Sequence, residues 1–297
     1  MSTHNPAAAF FASPAARGVA ALLRGLQHVS PDLGTRVALG LFFTPMPTKW
    51  LARSRAVPRP WAERRLPFEG GHVSVWERSD IEPGRPKVLL THGWAGDAQQ
   101  MRPLADTLVA HGFEPVLLDL PAHGRSSGWR SNLLQWVRAM FAVTARFGPW
   151  EGVVAHSLGA MAASNALARG LPVRRAALIA LAPAPWQFLR WFAQAMGTGE
   201  SLAARMRGRF EQREGASLGH FEPSWLGVRV HQPTLLVHDR GDVTAPIAGS
   251  ESLLANLAAG RLHSTENLGH RRLLSDPTVM EQVVGHLASA QPVLHVV

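Results

Sequence analysis

The 297-residue chain contains no cysteine and no tyrosine. Disulfides and thiolate metal sites are therefore excluded, and a reducing compartment is open to the protein. Lysine is also scarce, with two Lys against 28 Arg. This bias, with ten Trp and no Tyr, reads as a compositional habit rather than as chemistry. No apolar run approaches the ~20 residues that span a bilayer. No Lys or Arg precedes Arg17. A secretory leader with a charged start is therefore not expected, and the expected location is cytoplasmic. H-E-x-x-H, G-x-x-x-x-G-K-[ST], a dinucleotide fingerprint and a carboxylate cluster at ligand spacing are all missing, so neither a metal nor a cofactor is expected.

What remains is a globular composition, 46% hydrophobic and 17% charged. It is long enough for one large α/β domain or two small ones. The formal net charge is +9. Residues 1–70 carry nine Lys/Arg and three Asp/Glu and so supply +6 of it. Their arginines are dispersed and lack the interleaved aromatics that stack bases, so no nucleic-acid partner is expected. Val19, Leu22, Leu23 and Leu26 recur at helical spacing. Ser30-Pro31-Asp32 reads as a second helix start that runs to about Phe43. These two basic, partly apolar helices are a candidate for peripheral membrane contact. Residues 1–65 are read as a helical extension and connecting arm, with the helices lying against a core domain.

Within 66–297, His72-Val73-Ser74-Val75-Trp76 alternates as a half-buried strand does. Apolar strands then end at Thr91 and Asp119, with a helix through Met101, Leu104 and Leu108 between them. A helix from Leu133 to Phe147 leads to Val153-Val154-Ala155-His156-Ser157-Leu158-Gly159-Ala160. That stretch is a strand, a very tight turn and an Ala-rich helix. A Ser at such a turn stands clear of the backbone if its neighbours two before and two after are small, and the helix N-terminus behind it favours negative charge. This is the logic of the nucleophile elbow, G-x-S-x-G, with Ala155 in place of the first Gly. The alternative is a Ser that merely caps a βα helix. A further strand over Ala176–Ala182 is followed by some fifty residues without strand character, from about 184 to 230. They carry Trp186, Phe188, Trp191 and Phe192.

Three other stretches bear on the elbow. Leu89-Leu90-Thr91-His92-Gly93-Trp94 ends a strand in a loop whose Trp94 N–H, with that of Leu158, is suited to a developing oxyanion. Leu236-Val237-His238-Asp239-Arg240-Gly241-Asp242 ends a strand in two carboxylates. Leu268-Gly269-His270 places a His after a Gly. With Asp119-Leu120-Pro121-Ala122-His123-Gly124-Arg125-Ser126, these motifs resemble the α/β-hydrolase family over roughly Leu66 to Ala290.

The resemblance implies a mostly parallel, doubly wound sheet with helices on both faces, and a helical cap formed by the insertion at 184–230. It implies Ser157 as nucleophile, His270 as general base and Asp242 as orienting acid, although Asp239 stands where the family usually has Gly. His123 is read as a hydrogen-bonded loop residue, since His270 fills the base position. Trp186 and Trp191 of the cap, with His92 and Gly93, are expected to line a largely apolar pocket. The expected substrate is a small-molecule ester or thioester with a hydrophobic part, hydrolysed through an acyl-enzyme. Two rivals use the same fold: an acyltransferase or cofactor-free perhydrolase with the same triad, and a non-catalytic binding protein. A dehalogenase is disfavoured, because its elbow would carry Asp.

Overall fold

The computed structural model describes residues 14–45, 48–57 and 59–289; the chain start read above for a leader lies outside them. Eight strands form one sheet in the order β1-β2-β4-β3-β5-β6-β7-β8. They are β1 (Trp61–Phe68), β2 (Gly71–Arg78), β3 (Lys87–Thr91), β4 (Glu114–Asp119), β5 (Trp150–His156), β6 (Val173–Ile179), β7 (Thr234–Asp239) and β8 (Gly260–Thr265). β2 runs antiparallel to β1 and β4, and the six strands from β4 to β8 are parallel.

The inner strands are apolar through their central residues because both faces of a parallel sheet are covered. Side-chain alternation then splits each strand between two cores. Leu89, Val116, Val153 and Leu178 face one core, while Val88, Leu90, Leu117 and Val154 face the other. α4 (Arg102–Ala110) and α12 (Pro277–Ala288) cover the second face. α5 (Leu133–Phe147) and α6 (Leu158–Ala168) cover the first. α5 begins where Asn132 accepts a hydrogen bond from Gln135 N, a cap typically worth about 1 kcal/mol.

β3 is flanked by β4 on one side and β5 on the other, so the chain reverses its winding direction there. Ligands of open α/β sheets bind outside the carboxyl ends of the strands at this switch point. Thr91 pairs with Ala155 at those ends, which puts the His92-Gly93-Trp94 loop beside the Ser157 turn.

The sheet begins at Trp61, inside the stretch expected as a connecting arm. β1 carries Glu63, Arg64, Arg65 and Pro67, a composition that blunts an edge strand and hides its strand character. The alternation expected for 72–76 is also not observed. Val73, Ser74, Val75 and Trp76 are all buried, since β2 lies between β1 and β4 and Ser74 Oγ donates to Glu63 (2.7 Å). β6 ends at Ile179, three residues before the expected end, because Ala180 takes a left-handed conformation (φ 49°).

The N-terminal helices are α1 (Pro14–Val29), α2 (Pro31–Phe42) and α3 (Thr48–Ser54). Ser30 caps α2 by accepting from Leu33 N. The insertion folds as α7 (Pro185–Ala195), α8 (Gly199–Glu214) and the short α9 (Pro223–Gly227). The extension lies on this cap rather than on the sheet alone. Phe42 meets Phe192 and Phe43 meets Phe210, each pair 5.5 Å apart. Arg24 donates to Met196 O (3.1 Å), and Arg209 pairs with Asp32. Buried Lys49 of α3 donates to the carbonyls of Ser126 (2.6 Å) and Gly128 and so ties the arm to the loop after β4. The remaining helices are α10 (Ala248–Leu254) and α11 (Gly269–Arg272).

Candidate active site

Ser157 sits between β5 and α6 with φ 55° and ψ −121°. A non-glycine residue held there is strained, and such strain clusters at functional sites. The tightness of the turn is measurable at Gly159, where an added Cβ would lie 2.2 Å from the His92 carbonyl oxygen. At Gly93 a Cβ would lie 2.9 Å from Ser157 Cβ, so the two loops meet only because that position is bare. The methyl of Ala155 is accommodated in full burial. Ser157 Oγ makes no capping bond to α6.

Instead Ser157 Oγ donates to His270 Nε2 at 2.9 Å, and His270 Nδ1–H donates to Asp242 Oδ2 at 2.6 Å. Three residues separated by up to 113 positions are brought into one hydrogen-bonded line. Asp242 is buried. Its Oδ1 accepts from Thr244 N (2.8 Å) and Ala245 N (2.9 Å). Burial alone would raise its pKa, but the nearby His238 ring (3.5 Å) and the hydrogen bond from His270 outweigh burial and hold the carboxyl well below the usual range. His238, fully buried, donates from Nε2 to Ala245 O (2.8 Å) and accepts from Ser250 Oγ at Nδ1 (2.7 Å).

Asp239 has different work. Its Oδ2 accepts from Thr265 Oγ1 and Leu268 N, both at 2.9 Å, and its Oδ1 from Gly241 N. It staples the loop that carries His270 and does not touch the imidazole. His156 supports the same imidazole from behind. It donates from Nε2 to His270 O (3.0 Å), and the two rings lie 4.8 Å apart. Burial pushes His156 down to about 3, so it stays neutral. Sequence reading missed both His156 and His238. Their only signal was a His inside an otherwise apolar strand end.

The backbone N–H groups of Trp94 and Leu158 find no acceptor among the described residues. Leu158 is the first residue of α6, where such donors are free by construction. The Trp94 loop is set by Ala95, left-handed at φ 56°. Ala95 N donates to His123 Nε2 (3.0 Å), and His123 Nδ1 donates to Pro121 O (3.0 Å). His123 is thus a fixed, neutral acceptor; burial, aided by His92, pushes it down to about 3.

His92 is not pocket-lining. It is fully buried, accepts from Leu120 N (3.1 Å), donates to Gly93 O (2.7 Å) and packs on Trp136. Its polar atoms join β3 to the loop after β4, which the dipeptide His-Gly alone does not reveal. Trp186 and Trp191 are half-buried on α7. The Arg207 guanidinium covers Trp186 at 5.3 Å, and Trp191 meets Phe188 edge-on at 5.4 Å. The contacts seen for these two Trp are cap packing. Among the described residues no group of three His, Asp or Glu is placed to hold a metal, and no helix is long and apolar enough to cross a membrane.

The fold has counterparts in known proteins. The esterase of Pyrococcus furiosus superposes with a TM-score of 0.60 at 17% identity, covering 79% of this chain and 95% of that one. A serine hydrolase from the hydrocarbon-degrading bacterium Cycloclasticus zankles gives 0.57 at 15% identity, covering 76% and 97%. A curated relative is 2-succinyl-6-hydroxy-2,4-cyclohexadiene-1-carboxylate synthase of Salmonella paratyphi B, 30% identical over 95 residues, or 31% of this chain. The chain spans about a third of the length of such relatives, 36% in that case. The alpha/beta hydrolase fold profile matches residues 86–269, more than half of the chain. The protein therefore belongs to the α/β-hydrolase fold family.

Proposed function

We propose that the protein is a serine hydrolase that cleaves a small-molecule carboxylic ester or thioester with a hydrophobic part, through an acyl-enzyme on Ser157. The reading is carried by the unbroken line Ser157–His270–Asp242, with 2.9 and 2.6 Å links. A Ser hydroxyl is a poor nucleophile until a base takes its proton. His270 Nε2 accepts that proton as Oγ attacks the carbonyl carbon. Asp242 holds the tautomer and stabilises the imidazolium without itself taking the proton. The N–H groups of Trp94 and Leu158 stabilise the oxyanion, a contribution of ~100- to 1000-fold per donor. His270 then returns the proton to the leaving group. Water activated by the same imidazole releases the acid.

The test is a p-nitrophenyl ester series of increasing acyl length, with a matched thioester. Turnover above the buffer rate, with a preferred length, supports the reading; no turnover of any member by folded protein contradicts it. The competing outcome is acyl transfer from the same acyl-enzyme to an acceptor other than water. A product that retains the acyl group on an added alcohol or amine, in excess over free acid, selects it.

The roles of the two carboxylates separate by mutation. Asp242→Asn is expected to lower kcat by about 10⁴, because the amide imposes the wrong tautomer on the imidazole. Asp239→Asn removes only a loop staple and is expected to cost less than tenfold in kcat, with a lowered Tm. Steady-state kinetics on the preferred ester decide it, and the reverse ranking would show that the acid is misassigned.

A further inference from the structure

Eight large apolar side chains are exposed among the described residues, and five of them are on α1 and α2: Val19, Leu22, Val29, Leu33 and Leu41. Monomeric surfaces scatter such residues singly, so concentration on one element marks a contact surface. On α1, Val19, Leu22 and Val29 recur every three or seven residues and share one face. Leu22 is 63% and Val29 86% exposed. The side turned inward carries Ala20 and Leu23, which are buried in the core shared with the cap. The helix therefore has a second apolar stripe that is left exposed among the described residues.

On α2 the exposed Leu33 lies on the face of Arg36 and Gly40, three and seven residues on. Arg36 and Gly40 line a cleft of about 440 Å³ between α2, the cap helix α8 and the loop before α5. Its lining holds five arginines, Arg36, Arg130, Arg138, Arg209 and Arg213, against one acid, Glu214. Asp32 and Glu69 pair with some of them, and the balance stays at +2. Arg130 makes no ion pair among the described residues. Beside it in the chain stands Trp129, the sixth of the eight exposed residues, with Lys49 and Arg53 at 5.3 and 5.6 Å from its ring. Exposed aliphatics, an amphipathic Trp and adjoining arginines are the composition of an interfacial anchor.

We propose that α1, α2 and the Trp129–Arg130 turn form a docking surface for an anionic phospholipid bilayer. The apolar stripes enter the headgroup–acyl boundary, and the arginine cleft meets phosphate. Charge complementarity selects this occupant: the cleft stays at +2 with its ion pairs counted, Arg130 has no acidic partner among the described residues, and an anionic leaflet is negative. The inference is independent of the reaction at Ser157.

Flotation of the full chain with phosphatidylcholine vesicles, with and without a phosphatidylglycerol fraction, tests it. The anionic vesicles are expected to bind at least tenfold more protein, and high salt is expected to reverse this. Leu22→Asp with Val29→Asp is expected to abolish flotation, and Arg130→Glu to weaken it on anionic vesicles. All these positions are exposed, so Tm and turnover of a soluble short ester should be unchanged. Equal binding to both vesicle types, no binding to either, or full binding by the Asp double variant would overturn the proposal. So would a wild-type dimer that the double variant makes monomeric, since a second copy would then own the surface.

Discussion

Ser157→Ala is expected to remove ester turnover almost completely, with a fall in kcat of about 10⁵ and a native thermal transition. The size follows from how the three residues act. In a Ser–His–Asp unit the loss of the nucleophile alone costs about as much as the loss of the whole unit, and what survives is binding and oxyanion stabilisation. The fold should tolerate the change well. Among the described residues Ser157 Oγ bonds only to His270 and makes no bond to the helix it starts, and Ala is one atom smaller at a position with φ 55°. A fall of less than tenfold, or a loss that tracks unfolding, would mean that the hydroxyl is not the attacking group.

The second large effect is on stability in acid. His123, His156 and His286 are buried, and burial pushes their pKa values down to about 3, 3 and 4. In the unfolded chain each titrates near 6.5. Between about pH 6.5 and 4 the unfolded state therefore binds up to three protons that the folded state refuses, so stability is full above pH 6.5 and drains as pH falls. The slope reaches about 4 kcal/mol per pH unit when all three are engaged. Set against a typical ~5–15 kcal/mol for a folded protein, this is a large share of the total, so the urea midpoint is expected to fall steeply as pH drops below 6.5. Below pH 4 the depressed carboxyls Asp242 and Asp239 lose their contribution as well. Urea unfolding at several pH values measures the slope. His286→Gln should lower it by one proton, since among the described residues the His286 ring bonds only to the carbonyls of Ala176 and Pro233. A midpoint that does not move between pH 7 and 5 would contradict this account.

Much of the fold was legible because its signals are local. α5 runs from Leu133 to Phe147 as expected, and Ser30-Pro31-Asp32 starts α2 as expected. The inner parallel strands announce themselves as apolar runs. β1 and β8 do not, since both lie at sheet edges and carry charged or polar residues there. The docking of the extension onto the cap was also hidden, because periodicity finds a buried stripe without saying what buries it.

At the site, the order of the motifs was readable and the contacts were not. The choice between Asp239 and Asp242 depends on where β7 ends and the turn begins: Asp239 is the last residue of the strand and points its oxygens into the neighbouring loop. Three residues on, Asp242 reaches His270. His92 and His123 look alike in sequence as loop histidines. Both are in fact neutral braces, one holding the loop after β4 and the other holding the backbone at Ala95. A histidine's direction and burial are tertiary facts that no spacing rule carries.

The central claim is an activated Ser157. Its most direct test is a fluorophosphonate probe followed by intact mass and peptide mapping, with wild type beside Ser157→Ala. The account predicts one adduct per chain, mapped to the peptide containing Ser157 and absent from the variant. An unlabelled wild-type protein with a native thermal transition, or an adduct on another residue, would contradict it.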